Sequence, residues 1–142
     1  MLTATASISI EGTSADVWHA LVTPSLIKQY LFGTETECDW KAGSPIVFRG
    51  EYQGTVYEDK GTILRIEPEQ MLQYSYWSSM SGTPDVPENY DVVTYTLSAG
   101  DDGHTVLTIT QDGIKTEASR QHSQQNWGFV LQGIKSVIER SV

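Results

Sequence analysis

Cysteine, histidine and basic residues are scarce in this 142-residue chain, which has one Cys, three His and nine Lys or Arg. Cys38 alone can close no disulfide framework and no CxxC metal clip, a usage that fits a reducing compartment and points to the cytoplasm. His19, His104 and His122 stand far apart and form neither an HExxH nor an HxH spacing, so no metal site is expected. The basic residues face 18 acidic ones, and the net charge of -9 should repel phosphate backbones and anionic lipid, which argues against nucleic acid and membranes as partners. Apolar runs are short: none approaches the roughly 18 residues of a membrane span, and the opening MLTATASISIEG has no basic n-region. Also missing are a GxSxG elbow, which would activate a serine, and a GxxxxGK[ST] loop, which would cradle phosphates. No catalytic residue and no cofactor is assigned.

Hydrophobic residues make up 39% of the chain, enough for one core of ordinary size, and residues 1–142 read as a single domain. Residues 3–11, TATASISIE, alternate in the manner of a half-buried strand ended by Gly12. Ser14 then serves as a plausible N-cap for a short helix with Val17, Trp18 and Leu21 on one stripe. A second short helix starts at Pro24, capped by Thr23 and stopped by Gly33. From residue 35 to 112 the apolar period becomes two, and turn residues such as KAGSP, EPEQ and AGDDGH recur, which predicts an antiparallel meander of six strands. The proline-rich stretch from Ser79 to Glu88 is its longest break and a candidate lid. After Gly113 the period returns to 3.6 residues, with Trp127, Val130, Leu131, Ile134, Val137 and Ile138 on one face of a long helix. Gly128 and Gly133 interrupt that helix; each costs about 1 kcal/mol relative to alanine, so both are expected to open gaps in its wall.

A strand, two short helices, six strands and a long helix make an α+β chain, and this order resembles the helix-grip fold of the START-like (SRPBCC) superfamily. The segments VWHALVTPSLIKQYLFG, DWKAGSPIVF, KGTILRIEPEQMLQYSYW, VTYTLSAGDDGHTVLTITQDG and NWGFVLQGIK resemble, in register, the heat shock protein 90 ATPase activator homologue family. The resemblance implies a curved antiparallel sheet of about seven strands wrapped around the C-terminal helix, with a cavity between them that takes small apolar or amphipathic ligands. Tyr30 and Tyr76 stand where relatives often have tryptophan, and Gln111 where histidine is common, which makes the implied cavity more polar at its edges. The chain carries no counterpart of the separate N-terminal domain of the full-length eukaryotic chaperone activators.

Strand alternation places Phe48 with Tyr52, Leu72 with Tyr74 and Tyr76, Val93 with Tyr95 and Leu97, and Leu107 with Ile109 and Gln111 on one face. The candidate ligand contacts are Tyr30, Phe48, Tyr52, Tyr74, Tyr76, Tyr95, Gln111, Trp127 and Leu131. Each ring taken singly is explained by core packing; taken as a set they fit a cavity as well as a filled core. Trp77 is out of phase with Tyr74 and Tyr76, so it should mark a bulge or face away from the cavity, as a cross-strand packing residue or an interface anchor. Glu51, Glu58, Asp59, Asp91 and Asp112 lie in or beside strands and read as solvated. The first reading is a binding protein for a small apolar or aromatic molecule, as a monomer or weak homodimer. Two others stand beside it: an enzyme resembling polyketide cyclases and aromatases, and a protein interaction module related to the chaperone activators.

Overall fold

The computed structural model describes residues 1–140. Its elements run β1 (Leu2–Glu11), α1 (Ser14–Val22), α2 (Pro24–Tyr30), β2 (Glu35–Cys38), β3 (Pro45–Tyr52), β4 (Thr55–Glu67), β5 (Met71–Ser78), β6 (Asp91–Ala99), β7 (His104–Ile114) and α3 (Glu117–Arg140). All seven strands form one antiparallel sheet in the order β1-β7-β6-β5-β4-β3-β2, the expected helix-grip arrangement. The first strand therefore closes against the last, with Ile8 opposite Leu107 and Ala6 opposite Ile109. Among the described residues no helix is long and apolar enough to cross a membrane.

The long helix packs against β1 and β7 and touches both short helices. Its buried face carries Val130, Leu131, Ile134, Val137 and Ile138, each aliphatic side chain contributing about 1.5–3 kcal/mol on full burial. These meet Ile10, Val17, Leu21, Leu72, Val93, Leu107 and Ile109 in a core that continues to Tyr30, Tyr74 and Tyr95. The N-cap of α1 is Thr13 rather than Ser14: its hydroxyl accepts from the Asp16 amide while the Asp16 carboxylate accepts from the Thr13 amide, closing a capping box.

The two helix glycines part company. A Cβ on Gly133 would lie 3.0 Å from Tyr30 Cβ and 3.4 Å from Tyr30 Cα, so this glycine lets α2 and α3 approach closely. A Cβ on Gly128 would meet nothing within 4 Å. Neither glycine is among the residues that line the cavity between α3 and the concave sheet. Sheet curvature has a glycine of its own: a Cβ on Gly61 would fall 1.5 Å from the Ser75 carbonyl oxygen, and the β4–β5 register shifts just beyond it, between Ile63 and Arg65.

Trp77 does face outward, but it is not a free anchor. Its ring stacks on Tyr90 at 6.5 Å, Lys60 Nζ lies 5.8 Å from its centroid, and its Nε1 donates to Thr83. The Ser79–Glu88 stretch is tied to the same outer face, because Lys60 pairs with Asp85 and the Tyr90 hydroxyl donates to Asp85. Those ties leave Met80 as the member of the stretch that borders the concave side.

Candidate functional site

Between the concave sheet and the first turns of α3 lies a cavity of about 620 Å³. Three strands supply its rings. Phe48 comes from β3, Tyr57 from β4, and Tyr74 and Tyr76 from β5, while α3 contributes Trp127 and Val130. The period of two along each strand brings these side chains to one face, and the twist of the sheet turns them toward the helix. Phe48 lies 5.8 Å from Tyr74 and 6.4 Å from Tyr76, a tilted cluster of the kind aromatic quadrupoles favour. The mouth is bordered by Phe32, Tyr52 and Met80, which are 72%, 59% and 51% exposed, and by His122, Ser123 and Asn126 of α3. An apolar rim this exposed gives an incoming apolar body something to touch before it is buried.

Most polar atoms of the inner wall are already bonded within the protein. The Tyr74 and Tyr95 hydroxyls lie 3.1 Å apart, and the Tyr57 hydroxyl is 2.6 Å from Thr34 Oγ1. Trp127 Nε1 donates to Gln111 Oε1 at 2.9 Å, and Gln111 Nε2 donates to Asp91 Oδ2 at 2.7 Å, so both ends of the Gln111 amide are held. The Tyr76 hydroxyl donates to Asp59 Oδ2 at 2.7 Å, and Asp59 Oδ1 is buried with no partner. Burial raises Tyr74 and Tyr76 well above the usual phenol value, Tyr76 further by the Asp59 charge, and pushes Tyr95 to about 12. At neutral pH these rings are uncharged. Burial also raises the Asp91 carboxyl, partly opposed by the bond from Gln111.

The structure gathers Phe48, Tyr52, Tyr74, Tyr76, Gln111 and Trp127 around this cavity. It places the other three candidates elsewhere. Tyr30 is 5% exposed with its hydroxyl donating to the Ala20 carbonyl, which fixes α2 on α1. Tyr95 lies behind Tyr74 and edge-on to Trp127, and Leu131 points into the core beside Ile134. Their burial follows from the wider turn of the core around α3, which strand alternation alone does not reveal. Tyr57 is not among the candidates the spacing offers, and Asp59 reads with the other strand carboxylates as solvated. A signal was present in Gly50, directly opposite Tyr57: a Cβ there would lie 2.4 Å from the Tyr57 hydroxyl, so the missing side chain seats the ring. Among the described residues no group of three or more His, Cys, Asp or Glu could hold a metal ion.

Comparison with solved structures returns the same fold over nearly the whole chain. ChR145 from Cytophaga hutchinsonii is 46% identical with a TM-score of 0.85, over 99% of this chain and 96% of that one. The protein MLL2253 from Mesorhizobium loti is 21% identical, with a TM-score of 0.79 over 99% of both chains. An Aha1 dimer from Colwellia psychrerythraea is 15% identical, with a TM-score of 0.76 over 98% of this chain and 97% of that one. These last two likenesses bear on fold alone. A comparison with curated proteins found no match. Residues 12–139 match the family "Activator of Hsp90 ATPase homolog 1-like protein", and with that match covering most of its length the chain belongs to this family, within the START-like (SRPBCC) superfamily.

Proposed function

We propose that this protein holds a small apolar or amphipathic molecule, with an aromatic or aliphatic body, in the cavity between α3 and the concave sheet. One observation carries the reading: a cavity of about 620 Å³ sits where well-packed aromatic side chains could have met, and it opens through an apolar rim. Its volume falls in the range of about 300–1,000 Å³ typical of small-molecule sites. The contacts would be Phe48, Tyr52, Tyr57, Tyr74, Tyr76, Gln111 and Trp127, with Tyr30, Tyr95 and Leu131 supporting them from behind or holding the helices in place. The unpaired Cys38 supports action in a reducing compartment such as the cytoplasm, and the acidic surface supports neither nucleic acid nor anionic membrane as partner. Monomer or weak homodimer is the working state.

The test is native mass spectrometry of the purified protein, with extraction of any retained compound and comparison with Trp127→Ala. A stoichiometric adduct that weakens in the variant supports the reading; a bare mass, with no thermal shift from aromatic and acyl compounds, refutes it.

A second reading is favoured by the Tyr76–Asp59 pair, a carboxylate bonded to a tyrosine hydroxyl at the cavity wall. Such a pair could move a proton on a bound polyketide-like chain. If it does, Asp59→Asn abolishes turnover of that compound while leaving its binding intact.

A further inference from the structure

The charges around the cavity are of one sign. Its acidic side chains are Glu51 and Asp59, no lysine or arginine borders it, and His122 at the mouth is its one imidazole. Asp59 receives a single hydrogen bond, from Tyr76, while its other oxygen is buried without a donor. A carboxylate held this way lacks the two or three donors that normally balance its charge, and the low dielectric of an aromatic pocket screens it poorly. Meanwhile the inner-wall donors are engaged: Trp127 Nε1 bonds Gln111, Gln111 Nε2 bonds Asp91, and the Tyr76 hydroxyl bonds Asp59. An anionic ligand would therefore meet two like charges and few free donors. A cation would meet ring faces and two carboxylates.

We infer that the cavity selects a protonated amine carried on an aromatic or apolar body, and discriminates against a carboxylate on the same body. The inference rests on the proposed binding role and assigns its ligand class. The amine is stabilised through the faces of rings such as Phe48 and Tyr74 and through the field of Asp59 and Glu51; a fatty acid or aryl acid finds no lysine or arginine, and its donors sit at the mouth, on His122, Ser123 and Asn126. Direct contact with the buried Asp59 oxygen is not required, because a charge in the cavity lining acts through its field over a few ångströms in a medium of low dielectric.

Fluorescence anisotropy with three matched probes tests this at neutral pH: 1-pyrenemethylamine, 1-pyrenemethanol and 1-pyreneacetic acid. The amine should bind about tenfold more tightly than the alcohol, and the acid more weakly than either. Asp59→Asn keeps an acceptor for Tyr76 and should bring the amine close to the alcohol; Glu51→Gln, at an exposed position bordering the cavity, should remove a smaller part of the preference. A thermal melt of each variant confirms folding. Equal binding of all three probes, or tighter binding of the acid, overturns the amine preference while the binding role stands. An amine preference unchanged in both variants assigns it to overall charge and also overturns it. Failure of all three probes, the neutral one included, together with a bare native mass, removes both readings.

Discussion

Thr36 and Asp59 each bury an oxygen that no donor or acceptor reaches, and the two orphans have different meanings. Thr36 sits in β2 opposite Phe48, 6% exposed, where its methyl packs and its hydroxyl has nothing to bond. Replacing it with valine keeps the shape and the branched Cβ a strand prefers, while removing a group whose burial costs about 1–3 kcal/mol. Thr36→Val is expected to raise stability by about 1 kcal/mol in urea denaturation, read as a higher midpoint at unchanged slope. A lower midpoint would mean that the hydroxyl has a water partner. Asp59 is the opposite case, a charge whose incomplete bonding sits at the cavity wall, where polar groups serve recognition. At this scale the sequence was informative where alternation rules: Phe48, Tyr74, Tyr76 and Gln111 all lie on the face their spacing predicts. It was misleading where charge suggests exposure. Asp59 lies in β4 beside Glu58 and Lys60, yet its carboxylate meets the Tyr76 hydroxyl on the cavity side while its neighbour Lys60 takes the outer face against Trp77 and Asp85.

Among the elements, α3 shows how a clear pattern can conceal a local reason. Its apolar period identified the buried face, down to Leu131, Ile134 and Ile138, but periodicity cannot say why a glycine is tolerated. The answer depends on a partner about a hundred residues away in the chain: at Gly133 the backbone of α2 occupies the space, and at Gly128 nothing does. The two glycines should therefore respond in opposite directions to the same substitution. Gly128→Ala places a methyl in open space within a helix interior and is expected to stabilise by about 1 kcal/mol, the ordinary propensity difference. Gly133→Ala gains the same propensity but presses on Tyr30 Cβ and Cα, atoms that cannot rotate away, so the crowding cancels the gain or exceeds it. Parallel chemical denaturation of the two variants checks this; equal stabilisation by both would show that α2 yields readily and that the close approach is not what Gly133 secures. The β-meander was legible for a simpler reason, since its turns carry Gly, Pro and Asp at the required points. The closing of β1 against β7 joins the two ends of the chain, and only the family resemblance anticipated it.

For the molecule as a whole, the tyrosines turn the core into a reporter of its own cooperativity. Tyr30, Tyr74, Tyr76 and Tyr95 are four of the seven tyrosines, and burial raises each above the usual phenol value of 10.0, Tyr95 to about 12. Three of them form one connected set: the Tyr74 and Tyr95 hydroxyls meet, and Phe48 bridges Tyr74 to Tyr76. Because the folded state holds these protons more tightly than the unfolded state, their contribution to stability is fully present below about pH 10 and is lost as pH rises toward and through the folded values. Beyond that point, unfolding releases up to one proton per buried ring, so stability falls by about 5 kcal/mol per pH unit if all four ionise only in the unfolded chain. A domain with a typical reserve of about 5–15 kcal/mol then crosses its midpoint within one to three pH units above about pH 10. Alkaline titration followed by tyrosinate absorbance and far-ultraviolet circular dichroism should show roughly four sevenths of the absorbance change appearing in one steep step that coincides with loss of the sheet signal. If that absorbance instead grew gradually while the sheet signal held, the cavity would be open enough to admit hydroxide to Tyr74 and Tyr76, and its inner wall would be wet rather than apolar.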